Sequence, residues 1–127
     1  MAITKLYEKT GDEKAVEIQK QIEKAFGFIP ETFQAMGRHG DFLESVTKLS
    51  EAAGKGLDPK TKELICIAVS AANGCAYCVE AHRALALRSG VTEEEITAAV
   101  EVASMMSMFN TYNKSIGLNH DIKADKG

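Results

Sequence analysis

Apolar residues recur along this chain with the three-to-four-residue period of amphipathic helices, and the alternation expected of strands is scarce. The first helix is predicted from about Asp12 to Phe26, with Ile18, Ile22, Ala25 and Phe26 on one stripe and Gly27 as its stop. A short helix follows Pro30, carries Phe33 and Met36, and ends near Gly37. A third spans about Asp41 to Ala53, with Phe42, Leu43, Val46 and Leu49 inward and Gly54 closing it. After the Gly54-Lys55-Gly56 linker, Asp58-Pro59 reads as an N-cap followed by a first-turn proline. The helix it opens, Pro59 to Asn73, is apolar around most of its circumference, which predicts a place in the middle of the fold.

Asn73-Gly74 ends that helix, and Cys75 opens a fifth that runs to Ser89-Gly90. Thr92 and Glu95 have the spacing of a capping box, which starts the sixth. Its first half has a narrow apolar face of Ile96, Ala99, Val100 and Ala103. Its second half spreads Val102, Met105, Met106, Met108 and Phe109 widely, which fits a helix buried inside one subunit or, the favoured reading, one that packs on its own core and on a neighbouring subunit. A polar tail follows about Asn119. The pattern predicts an all-α, oligomeric fold of about six helices, in one compact domain over residues 1–127.

Composition narrows the function. A chain of 127 residues is long enough to bury a real hydrophobic core. Its 45% hydrophobic and 26% charged residues place it with ordinary globular proteins. A net charge of -3 without a Lys/Arg cluster argues against a nucleic-acid partner. The longest apolar run, Leu64 to Ala72, is interrupted by Ser70 and too short to span a bilayer, so no membrane partner is expected. Met1 to Lys5 lacks the apolar stretch of a secretory signal. Three cysteines in such a chain do not read as a disulfide framework, so a cytoplasmic location is expected.

The chemistry concentrates in Cys75-Ala76-Tyr77-Cys78-Val79-Glu80-Ala81-His82. Spacings of three and four bring two thiols and an imidazole onto one helix face. Cys75 stands at the helix start, where unpaired N–H groups and the macrodipole favour a thiolate. Cys78 has His82 four residues on, the better placed partner for proton exchange. An oxidant met by one thiol can be resolved by the other as a disulfide. A structural zinc site usually has a second ligand pair, which is missing, although zinc on Cys75, Cys78, His82 and one carboxylate remains a competing reading. Haem attachment is excluded because Val79, not histidine, follows Cys78, and a thioredoxin fold lacks its βαβ context. Chance placement of two cysteines and a histidine on a buried helix is the bland alternative. Glu63 shares a stripe with Cys66 and Ser70 on an otherwise apolar helix, from which a carboxylate could orient His82.

Glu63, eleven residues, Cys75-x-x-Cys78, three residues and His82 together resemble the signature of the AhpD-like superfamily, which includes alkylhydroperoxidase D and the carboxymuconolactone decarboxylases. The likeness runs from about Leu57 through Asn73-Gly74-Cys75-Ala76-Tyr77-Cys78-Val79-Glu80-Ala81-His82 and Ser89-Gly90-Val91-Thr92 to Phe109-Asn110, roughly half the chain. The resemblance implies a helical fold assembling as a homotrimer or homohexamer. It implies a relay in which Glu63 and His82 help deprotonate a cysteine. It further implies that Cys78 attacks a small hydroperoxide or disulfide substrate, and that Cys75 resolves and exchanges with an external dithiol reductant. Tyr77 departs from the pattern, since alkylhydroperoxidase D has a histidine between its cysteines. The chain also lacks the extra helical segment of the longer peroxidase. Rival readings are a disulfide reductase with little peroxidase activity, a γ-carboxymuconolactone decarboxylase-type enzyme, and a zinc-binding subunit without activity. Decarboxylation needs a cationic pocket and a proton donor rather than two thiols, and the dithiol argues against it.

The remaining candidates are read as ordinary. Cys66 is a small buried hydrophobe, His39 a loop residue, His120 part of the tail, and Tyr77 a packing residue with some shielding of the thiols. Glu80 is solvated and paired with Arg83, and the methionines are filler. No phosphate-binding glycine loop is present, so neither an organic cofactor nor a resident metal is expected.

Overall fold

The computed structural model describes residues 1–125, and the last two residues of the expected polar tail lie outside them. The described residues form six helices and no strand: α1 (Glu13–Phe26), α2 (Glu31–Ala35), α3 (Gly40–Ala52), α4 (Pro59–Asn73), α5 (Ala76–Arg88) and α6 (Glu93–Lys114). Helix starts and stops follow the caps written in the sequence. Asp12, Asp58 and Thr92 each accept from a first-turn backbone N–H, and Thr92 with Glu95 closes a reciprocal capping box. Gly27 and Gly74 end α1 and α4 in the left-handed region that glycine adopts without strain.

The chain divides into two compact units, the first spanning Met1–Lys55 and the second beginning at Gly56. In the first unit α1 packs on α3 around Ala15, Ile22 and Leu43, with Ile18, Phe26, Phe33 and Met36 against them. Gly40 makes that approach feasible, because a Cβ there would overlap the Lys14 side chain and sit 2.8 Å from Ala15 N. The buried stripe of α1 is Ala15, Gln19 and Ile22, while Ala25 is exposed. Gln19 belongs inside because its amide donates to the carbonyls of Tyr7 (3.2 Å) and Phe33 (3.3 Å), which satisfies the polar group and ties the N-terminal segment down. Phe42 and Leu49, expected inward, are exposed, and α3 turns only Leu43 fully into this core. His39 is the N-cap of α3 rather than a plain loop residue.

In the second unit α4 packs against both α5 and α6. Its core is Ile67, Ala86, Val91 and Ile96, with Leu64 and Val100 against them. The apolar circumference of α4 is thus half used: Ile67 is fully buried, whereas Ile65 and Val69 on another face are about half exposed. The narrow face of α6 buries Ile96 and Ala103 as expected. Its second half leaves Val102, Met105, Met106, Met108, Phe109 and Tyr112 substantially exposed. Among the described residues no helix is long and apolar enough to cross a membrane.

Candidate active site

The turn between α4 and α5 builds one end of the site. Gly74 adopts φ 75°, and Cys75 N donates to Ser70 O at 2.9 Å, so the chain reverses within two residues. Cys75 becomes the N-cap of α5, and its Sγ accepts from the backbone N–H of Cys78 at 3.2 Å. One turn apart, the two Cα atoms lie 5.3 Å from each other and the sulfurs are joined as a disulfide. Both residues are half-buried, and Tyr77 between them is about half exposed. An open cleft of about 460 Å³ touches Cys75 and is walled by Ser70, Ala71, Gly74, Val79 and Arg83. Arg83 at its rim is ion-paired with Glu93 at the start of α6, so the expected Glu80–Arg83 pair gives way to a bond between helices.

The other end of the site is a carboxylate–imidazole pair. Glu63, in the second turn of α4, places Oε2 2.7 Å from His82 Nδ1, in the second turn of α5. The side chains are 16% and 32% exposed, so the pair is shielded yet open on the imidazole side. With Glu63 ionised, Nδ1–H donates to it, and a neutral ring then presents Nε2 as an acceptor. The tautomer follows from that partner. Such a pair can take up a proton and hold the resulting charge.

Of the residues singled out from sequence, the observed bonds join Glu63 with His82 and Cys75 with Cys78. The disulfide form does not bond one pair to the other. Cys66 is more than the small buried hydrophobe its position predicts. It is half-buried rather than fully inside, and its Sγ lies within 4.8 Å of ligand atoms on both Glu63 and His82. Burial, and then the neighbouring charge of Glu63, push its thiol up from the ordinary range. The signal was present in the i, i+3 spacing of Glu63 and Cys66, but only the position of α5 shows what that stripe faces.

The sequence profile of the carboxymuconolactone decarboxylase family matches residues 40–118. A relative named uncharacterized protein 4 in cox locus, from Paracoccus denitrificans, is 34% identical over 102 residues, covering 78% of this chain and 91% of that protein. The alkyl hydroperoxide reductase AhpD of Solibacter usitatus is 44% identical over 57 residues, or 45% of this chain. That stretch spans only 32% of the relative's length. The crystal structure of the alkylhydroperoxidase AhpD core from Rhodospirillum rubrum superposes with a TM-score of 0.78 over 95% of both chains, at 23% identity. The last likeness concerns the fold.

Proposed function

The chain belongs to the carboxymuconolactone decarboxylase family, and we propose that within it the protein is a thiol-dependent oxidoreductase that reduces small hydroperoxides by cycling Cys75 and Cys78. The observation that carries this reading is a Glu63–His82 pair at 2.7 Å on the two helices that also frame a closed Cys75–Cys78 bridge. Neutral His82, held through Nδ1 by Glu63, takes the proton of Cys78 on Nε2 and becomes the imidazolium that Glu63 stabilises. The Cys78 thiolate attacks the outer peroxide oxygen, the O–O bond breaks, and the alkoxide takes back the proton held on His82 to leave as an alcohol. Cys78 is now a sulfenic acid. Cys75 attacks that sulfur, the disulfide forms and water leaves. Two thiols and one hydroperoxide thus become one disulfide, one alcohol and one water. An external dithiol then reduces the bridge by exchange at Cys75, which borders the open cleft.

Decarboxylation of a lactone acid fits the same residues poorly. Arg83, a cation of the cleft, is ion-paired with Glu93, and the half-buried polar pair is acid and imidazole. A reducing compartment such as the cytoplasm suits the cycle. The exposed apolar stripe of Val102, Met105, Met106, Phe109 and Tyr112 supports assembly as a homotrimer or homohexamer through α6.

The test is the intact mass and free-thiol count of reduced protein before and after one equivalent of an organic hydroperoxide. Loss of two hydrogens and two thiols, mapped to Cys75 and Cys78, is expected. Cys78→Ser should consume no peroxide, and Cys75→Ser should hold a sulfenate on Cys78. Unreacted thiols with peroxide, but rapid turnover of a small disulfide under the same dithiol, would move the protein to disulfide reduction.

A further inference from the structure

The side chains of Glu63, Cys66 and His82 converge from α4 and α5, with one ligand atom of each within 4.8 Å of the others. We propose that these three residues form a binding site for a borderline-soft divalent cation, zinc being the natural fit, separate from the Cys75–Cys78 dithiol.

Three observations support it. The donor set is one carboxylate oxygen, one thiol sulfur and one imidazole nitrogen, the ligand types that zinc takes in tetrahedral sites. Charge balances as well: a carboxylate and a thiolate offset the two positive charges, with the imidazole neutral. Reach is adequate, since ligand atoms around a tetrahedral zinc stand roughly 3.3–3.6 Å apart. The Glu63–His82 contact at 2.7 Å must open by less than an ångström, and the Cys66 sulfur must close in from at most 4.8 Å. Rotation about the side-chain bonds of Glu63 and Cys66 supplies such shifts without moving either helix.

On binding, the Cys66 thiol gives its proton to solvent, the neutral His82 ring carries its proton on Nε2 instead of Nδ1, and the cation offsets the charge of Glu63 beside the sulfur. Three protein ligands leave a fourth position for water. All three residues are half-buried, so an ion can enter from the open side of His82. This ligand set differs from the one that spacing suggested, which used Cys75 and Cys78. Because the ion occupies the carboxylate and the imidazole, it silences their proton transfer. That consequence rests on the redox reading above, whereas the site does not.

The test is a cobalt(II) titration of the full chain with the Cys75–Cys78 bridge intact, so that Cys66 is its one free thiol. One cobalt ion per chain and a sulfur-to-cobalt charge-transfer band are expected, with zinc displacing the cobalt. Zinc should also slow alkylation of Cys66. Cys66→Ser should remove the band, and His82→Gln should weaken affinity by about tenfold or more. Cys66→Ala, checked by circular dichroism, serves as the second variant if serine disturbs the fold. A wild-type protein without the band overturns the site, as does a band that survives loss of Cys66. Neither result depends on peroxide turnover, so the site and the redox cycle stand or fall separately.

Discussion

Glu63→Gln is the sharpest perturbation of the candidate active site, because it removes one charge and nearly nothing else. The amide oxygen can still accept from His82 Nδ1, so the ring keeps its orientation. In the proposed relay, what disappears is the carboxylate that would stabilise the imidazolium formed when His82 takes the proton of Cys78. Two unit charges about 4 Å apart interact by about 4 kcal/mol at an effective dielectric of about 20. Solvent at the 32% exposed imidazole screens part of that, leaving roughly 1.5–3 kcal/mol. The alkylation rate of Cys78 at neutral pH should therefore fall by roughly ten- to a hundredfold. The assay is pseudo-first-order alkylation of fully reduced protein, with the modified site mapped by mass spectrometry. Glu63→Ala, which also frees the ring, should be slower still. If Cys78 of the Glu63→Gln variant is alkylated at the wild-type rate while the fold is intact, the pair does not help deprotonate Cys78 and the relay is wrong.

Other consequences can be read from stability and assembly. Ile67 is fully buried among Ala86, Val91 and Ile96, so Ile67→Ala should cost about 2–5 kcal/mol in urea unfolding, and a loss below about 1 kcal/mol would mean that this core closes over the gap. Asp58 caps α4 through Thr61 N (3.0 Å) and Thr61 Oγ1 (2.7 Å), and these bonds hold its carboxyl below the usual range. Its stabilising contribution is therefore present above the unfolded-state value and lost as pH falls through the lower folded-state value. The gap between wild type and Asp58→Asn in urea midpoint should be widest near neutral pH and narrow on acidification; a gap independent of pH would contradict the assignment. Phe109→Glu places a charge on the exposed stripe of α6 and should shift sedimentation towards monomer, with the circular dichroism unchanged. Wild-type protein that sediments as a monomer at working concentration removes the basis for that interface.

The sequence by itself carried the helix plan and the Cys75-x-x-Cys78 spacing. Asp12, Asp58, Thr92, Gly27 and Gly74 act through backbone bonds within a few residues, so their caps could be placed before any tertiary contact was known. For the same reason the closeness of Cys75 and Cys78 was legible, since a single turn sets it. Facing is a different matter. Which side of α4 is covered depends on where α5 and α6 lie, and periodicity cannot tell a helix surrounded by neighbours from one that leaves Ile65 and Val69 outside. Gln19 was invisible as a core residue because its acceptors, the carbonyls of Tyr7 and Phe33, come from segments 12 and 14 residues away. The bond between Glu63 and His82 spans 19 residues, and the approach of Cys66 to both crosses the same α4–α5 contact. Local rules choose the helices and their ends; the packing of α5 on α4 alone decides that an acid, an imidazole and a third thiol meet.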